Sequence, residues 1–134
     1  MTAADSDAGR RAVSAARRVV VKVGTQALTG RAGRLDSGFA AELSAQLAGA
    51  LRAGLDVVLV SSGAIGAGIA ELDMPGRPKT LPLLQATAAV GQGQLMRTFH
   101  DAFAAFGVKV AQILVTRDDF QDRTRYLNLS LIHI

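Results

Sequence analysis

A serine pair and a run of small residues follow a short apolar segment near the middle of the sequence. Asp56–Val60 is apolar after its first residue, and Ser61, Ser62 and Gly63 come next, directly before Ala64. In open α/β sheets, the carboxyl end of a strand leads to the ligand crevice. The first N–H groups of the following helix lack intrahelical partners and favour an anion. Ser62 and the amides after it are therefore candidates for a substrate site, with a simple helix N-cap as the alternative.

Lys22 is the second candidate, because it interrupts an otherwise apolar strand. It lies within Arg18–Gly24, a nearly continuous run of β-branched residues, where an unpaired ammonium is costly to bury. A lysine at a strand end offers a compact charge for a phosphate group, and Gly24 and Thr25 allow close approach of the backbone. The alternative is a lysine that extends its ammonium into solvent from the strand terminus. The local sequence leaves both interpretations open.

The composition excludes several classes of site. The 134 residues include no cysteine and two histidines, which excludes disulfides, thiolate sites and histidine-rich metal clusters. Asp118, Asp119 and Asp122 suit the solvated start of a helix better than a metal site. The net charge is +4, but aromatic residues make up only 4%, too few for the stacking platforms that bind single-stranded nucleic acid.

The apolar segments are too short to indicate a membrane protein. No apolar run reaches the roughly 20 residues that span a bilayer, and the amino terminus has no apolar signal segment. We therefore expect a cytoplasmic protein that binds an anionic small molecule and neither nucleic acid nor a membrane.

The apolar pattern predicts alternating strands and helices after a flexible extension at residues 1–17. Strands are predicted at Arg18–Gly24, Asp56–Val60 and Val108–Val115, with a loop at Thr25–Arg34. Helices are predicted after a cap at Asp36 or Ser37 and before Gly54, at Ala64–Leu72, at Leu81–Phe106 and after Thr116. This order predicts a three-layer α/β/α sandwich with a mainly parallel sheet. Because sheets typically have about five or six strands, we expect the sequence to be the first part of a larger domain.

The glycines of Gly63–Gly68 raise the alternative of a dinucleotide-binding fold. Their spacing is G-x-x-G-x-G rather than G-x-G-x-x-G, and no acid follows at the distance that a ribose requires. A nicotinamide-dependent oxidoreductase is therefore disfavoured. Close packing of a helix against the sheet explains Gly66 and Gly68 better. Gly91 and Gly93 indicate a kink or close packing within the longest predicted helix.

Four blocks of sequence, in order along the chain, resemble the glutamate 5-kinase group of the amino acid kinase family. They are Val20–Thr25, Val58–Gly68, Gln85–Gln92 and Leu114–Asn128, and the amino acid kinase domain is expected over residues 18–128. The resemblance implies ATP-dependent phosphorylation of the γ-carboxylate of L-glutamate, the first step of proline biosynthesis, in a bacterial protein.

The resemblance also implies roles for individual residues. Lys22 would contact the transferring phosphoryl group of ATP, with Gly24 and Thr25 lining the phosphates. Ser62, with the amides of Gly63 and Ala64, would bind glutamate. Magnesium would arrive with the nucleotide, and no residue of this sequence is assigned to the metal.

The sequence departs from the family after Asn128. The family continues with further helix and with acidic blocks that bind glutamate and organise the magnesium nucleotide, whereas this sequence reads Leu129–Ile134. We therefore expect a non-native or truncated tail at residues 129–134, an inactive isolated chain, and a homo-oligomer in the full-length parent. Two alternatives remain open: a related amino acid kinase acting on another carboxylate, such as aspartate or acetylglutamate, and an inactive fragment prone to interaction.

Overall fold

The computed structural model describes residues 15–29 and 34–131, with side chains up to residue 129. Two parallel strands, β1 (Arg18–Val23) and β2 (Asp56–Ser61), are joined through α1 (Thr25–Leu28) and α2 (Ser37–Arg52). Four helices follow β2: α3 (Ala64–Glu71), α4 (Leu81–Ala104), α5 (Arg117–Gln121) and α6 (Arg123–Leu131). Most of the predicted extension, residues 1–14, and the end of the predicted tail, residues 132–134, lie outside the described residues.

Both ends of α2 were correctly predicted, because local side chains determine them. The Asp36 carboxylate accepts a hydrogen bond from the Phe39 N–H at 2.9 Å, a cap that typically stabilises a helix by about 1 kcal/mol. Beyond the last turn, Gly54 has a φ of +87° and donates its N–H to the Leu51 carbonyl at 3.0 Å. A left-handed residue in this position favours glycine. The predicted loop at 25–34, in contrast, begins with the short helix α1.

The sheet has one covered face and one exposed face. Val21, Val57 and Leu59 pack against the core to which α2 and α4 contribute. Val20 and Val60, on the opposite face, remain 66% and 45% exposed. A continuous apolar run such as that of Asp56–Val60 is typical of a strand buried on both faces of a sheet. That expectation is wrong for the described residues, because the helices that contribute to this core all pack on one side of the sheet.

The predicted third strand, Val108–Val115, does not form among the described residues. Val108 and Val110 pack against the core, but the segment joins no hydrogen-bonded ladder, and Leu114 is 74% exposed. An apolar β-branched pattern indicates a segment that suits a sheet, whereas a strand forms only when a neighbour pairs with its backbone. The α/β class with a parallel sheet is confirmed in partial form.

Helices α3 and α4 approach each other through glycines. A Cβ atom on Gly68 would lie 1.9 Å from the Thr87 backbone oxygen, and one on Gly91 would lie 1.9 Å from the Ala64 backbone oxygen. No side chain fits at either position. The predicted close packing is therefore confirmed, but Gly68 packs against a helix and not against the sheet. Gly93, in contrast, has no atom of the described part of the chain within 4 Å of its Cβ position.

The carboxy-terminal helices differ from the prediction in their bounds. The helix predicted to reach Phe106 ends at Ala104, and Gly107 follows with a φ of +69°. The single helix predicted after Thr116 is divided at Asp122, whose carboxylate accepts from the Arg125 N–H at 2.8 Å. None of the described helices is sufficiently long and apolar to cross a membrane.

Candidate functional site

The carboxyl ends of β1 and β2 lie side by side. In the parallel register, Lys22 is opposite Val60 and Val23 is opposite Ser61. The residues that follow each strand therefore leave the sheet at the same edge, where ligands bind in open α/β sheets. The structure thus brings the two groups of predicted site residues to one edge of the sheet, one group at the end of β1 and the other after β2.

One hydrogen bond joins these two groups directly. The Thr25 hydroxyl donates to the backbone carbonyl of Ser62, which is 37 residues away in sequence. Thr25 is the first residue of α1, and Ser62 precedes Gly63, the N-cap of α3. The beginning of α1 is therefore connected to the beginning of α3 at the edge of the sheet.

Apolar contacts hold the same junction. Gly63 is buried, and a Cβ atom there would lie 3.4 Å from Cδ1 of Leu28 and 3.5 Å from Cδ1 of Leu95. The turn from β2 into α3 is thus held between α1 and α4. Sequence reasoning missed both leucines, because Leu28 fell in a predicted loop and Leu95 was one of many apolar positions in a long helix.

The predicted polar groups at this edge are accessible. Lys22 is exposed, and its ammonium forms no hydrogen bond or ion pair within the described part of the chain. Ser62 is also exposed, whereas the hydroxyl oxygen of Ser61 is buried without a described partner. Of the two serines, Ser62 is therefore the one available to a ligand. Ala64, the first residue of α3, is half-buried.

The opposite edge of the sheet also carries a cation, but a paired one. Arg18 and Asp56 are register partners, and Nη2 and Nε of Arg18 lie 2.9 and 3.3 Å from Oδ2 of Asp56. Both side chains are largely exposed, at 58% and 64%. The amino edge therefore presents a neutralised pair, in contrast to the free ammonium of Lys22.

The carboxylate of Asp119 is engaged in the start of α5. Its Oδ2 accepts from the N–H and the hydroxyl of Thr116 at 2.6 and 2.7 Å, and Arg125 lies 3.4 Å from Oδ1. These hydrogen bonds, that of the Thr116 backbone first, lower the pKa of Asp119. Across the described ranges, no group of three or more Asp, Glu, His or Cys side chains could hold a metal ion.

Known proteins resemble this chain over most of its length. The model of the amino acid kinase family matches residues 17–133. The glutamate 5-kinase of Geobacter sp. (strain M21) is 53% identical over 112 residues, which are 84% of this chain and 30% of that relative. The glutamate 5-kinase of Moorella thermoacetica is 50% identical over 119 residues, 89% of this chain and 32% of the relative.

A third curated relative gives the same proportions. The glutamate 5-kinase of Myxococcus xanthus is 49% identical over 121 residues, 90% of this chain and 32% of the relative. The chain therefore spans about 30% of the length of the curated relatives that it matches.

Proposed function

The chain belongs to the amino acid kinase family, and on that premise we propose that it contributes to an enzyme that phosphorylates the γ-carboxylate of L-glutamate with ATP. The product is glutamyl 5-phosphate, the acyl phosphate that begins proline biosynthesis. The similarity to proteins named glutamate 5-kinase supports this substrate. Because the chain spans only a fraction of those relatives, the complete activity is assigned to a longer polypeptide.

The observation that carries the proposal is the parallel register of β1 and β2, by which the segments that contain Lys22 and Ser62 end at the same edge of the sheet. Phosphoryl transfer depends on positioning and on stabilisation of charge, and the protein needs to supply little covalent chemistry. Lys22 is assigned to the transferring phosphoryl group of ATP, whose negative charge its ammonium offsets. Its exposure and its lack of a described anionic partner support this role.

The segment after Lys22 is assigned to the phosphates of ATP. No atom of the described residues lies within 4 Å of the Cβ position of Gly24, which leaves room for a phosphate oxygen beside its backbone. Thr25 follows at the start of α1 and contributes its backbone to the same segment. Magnesium would accompany the nucleotide, and we assign none of the described residues to it.

Ser62 and the amides of Gly63 and Ala64 are assigned to glutamate. The N–H groups that begin a helix lack intrahelical acceptors, and the helix dipole favours negative charge there. The α-carbon of Gly63 faces Leu28 and Leu95, so this residue contributes through its backbone. The acceptor carboxylate, with an ordinary pKa of about 4.3, is already a nucleophile at neutral pH and needs no general base.

The proposed substrates also indicate the cellular location of the enzyme and the kind of molecule it binds. ATP and glutamate are abundant in the cytoplasm, which we propose as its location. The enzyme acts on these small molecules rather than on nucleic acid or a membrane. We propose a homo-oligomer for the full-length protein.

Trapping of the acyl phosphate with hydroxylamine tests the proposal. The full-length protein is incubated with ATP and with glutamate, aspartate or acetylglutamate in parallel, and the 134-residue chain serves as a second sample. We expect hydroxamate from glutamate with the full-length protein and none with the 134-residue chain. Preference for aspartate or acetylglutamate would assign the protein to a different kinase of the family.

A further inference from the structure

We infer that Thr25 is a positioning residue for the glutamate-binding turn, and that its hydroxyl is not a phosphate ligand. The inference rests on the proposed function, because it states what Thr25 does within that site. The local sequence and the resemblance both assigned Thr25 to a phosphate-binding segment, and neither specified what its side chain does. In the structure, both branches of its side chain contact the turn that contains Ser62 and begins α3.

The hydroxyl of Thr25 already uses its hydrogen in a hydrogen bond within the protein. A threonine hydroxyl has a single O–H donor, and in Thr25 this donor is directed at the carbonyl oxygen of Ser62. Only lone pairs remain to face another ligand. Because phosphate oxygens are themselves acceptors, a hydroxyl in this state repels them. The same hydroxyl therefore cannot support the turn and donate to ATP at once.

The methyl group of Thr25 contacts the same turn from the side. A Cβ atom on Gly66 would lie 3.2 Å from the Thr25 methyl and 3.2 Å from the Thr29 methyl. The Thr29 hydroxyl donates to the Thr25 carbonyl at 2.8 Å, which holds the two threonines together on α1. Thr25 at the start of α1 and Thr29 directly after its end thus present two methyl groups to Gly66 and one hydroxyl to Ser62.

The hydrogen bond from Thr25 orients a group assigned to glutamate. The carbonyl of Ser62 and the N–H of Gly63 belong to one planar peptide unit and point in opposite directions. Fixing the carbonyl with a donor on one side therefore fixes the direction of the N–H on the other side. The same bond polarises the peptide unit, which strengthens that N–H as a donor.

Two substitutions at Thr25 separate the roles of the hydroxyl and the methyl. Thr25→Val keeps the shape and removes the donor, whereas Thr25→Ser keeps the donor and removes the methyl. In the full-length protein we expect Thr25→Val to raise the KM for glutamate about three- to tenfold, the range for one hydrogen bond. The KM for ATP should change less than about twofold, and Thr25→Ser should resemble the wild type.

Two kinetic outcomes would overturn the inference. The first is a rise in the KM for ATP with an unchanged KM for glutamate in Thr25→Val, which would return the hydroxyl to the phosphates. The second is an equal effect of Thr25→Ser and Thr25→Val on glutamate, which would show that the hydroxyl is not the group that matters.

Hydrogen exchange without substrate separates this inference from the proposed function. The peptide that covers Ser62 to Gly66 should exchange faster in Thr25→Val than in the wild type or Thr25→Ser. Equal exchange in all three proteins would overturn the positioning role, even if glutamate is phosphorylated. Absence of glutamate phosphorylation in the wild type would instead reject the proposed function, while the exchange data still decide the role of the Thr25 hydroxyl.

Discussion

The two ends of the β1–β2 pair each carry a cation, but they use it differently. At the amino end, Arg18 lies across from Asp56 and binds it at 2.9 Å. At the carboxyl end, Lys22 lies across from Val60 and has no ion-pair partner among the described residues. Because strands and register are the same, the residue opposite each cation determines whether its charge is available to a ligand.

The two ends also differ in what surrounds them. Helices α1, α3 and α4 meet at the carboxyl end, where Gly63 contacts Leu28 and Leu95 and the Thr25 hydroxyl reaches Ser62. The pair at the amino end is solvent-exposed. An exposed salt bridge contributes about 0–1 kcal/mol, so this pair is a minor contributor to stability. We therefore propose that the carboxyl end is the site of the chemistry and that the amino end has a small structural role.

The largest expected effect is that of Lys22→Ala on turnover in the full-length protein. Loss of the ammonium should lower kcat about 100-fold or more, because charge stabilisation acts on the transition state. The KM for glutamate should change less than about threefold. Steady-state kinetics at saturating ATP measure both values. Arg18→Ala is the matched control and should retain turnover, and an unchanged kcat in Lys22→Ala would reduce Lys22 to a solvated surface lysine.

The close packing of α3 against α4, which supports the carboxyl end, predicts the next largest effect, a loss of stability. Gly91→Ala places a Cβ atom 1.9 Å from the Ala64 oxygen, and we expect a loss of about 3 kcal/mol in the free energy of unfolding by urea. Gly93→Ala is the control on the same helix. The added Cβ would meet no described atom within 4 Å, so this substitution should stabilise the protein by up to about 1 kcal/mol. Equal losses in both variants would contradict the close packing of α3 on α4.

The smallest effect is expected at the amino end. Asp56→Asn removes the charge that faces Arg18, and we expect a loss of less than about 1 kcal/mol in the free energy of unfolding. This loss should be smaller still in high salt, because salt screens the exposed pair. Turnover should not change. A loss of turnover comparable to that of Lys22→Ala would remove the distinction between the two ends of the sheet.

Features determined by neighbouring residues could be predicted from the sequence. The Asp36 cap and the left-handed Gly54 depend on one helix turn each, and β1 and β2 followed from their apolar patterns. The third strand at Val108–Val115 could not be predicted reliably, because pairing depends on a distant partner. For the same reason, the sequence indicated close packing at Gly68 but not the helix that it packs against.

In the candidate site, too, features that depend on neighbouring residues could be predicted, whereas those that depend on distant residues could not. The prediction of an anion site rested on the residue types of Lys22 and Ser62 and on their positions at the ends of apolar segments. The hydrogen bond from the Thr25 hydroxyl to the Ser62 carbonyl could not be predicted from the sequence, because it depends on the register of two strands and joins residues 37 positions apart. Nor could the sequence distinguish the buried hydroxyl of Ser61 from the exposed Ser62.

Hydrogen exchange of the full-length protein with and without glutamate tests whether the substrate binds at the carboxyl ends of β1 and β2, because it locates the bound ligand at one end of the sheet. Added glutamate should protect the peptide that covers Ser62, Gly63 and Ala64. A non-hydrolysable ATP analogue should protect the peptide that covers Lys22 to Leu28, and neither ligand should change exchange around Arg18 or Asp56. Protection at the amino end, or glutamate binding without protection at Ser62–Ala64, would contradict the assignment of the site to the carboxyl edge.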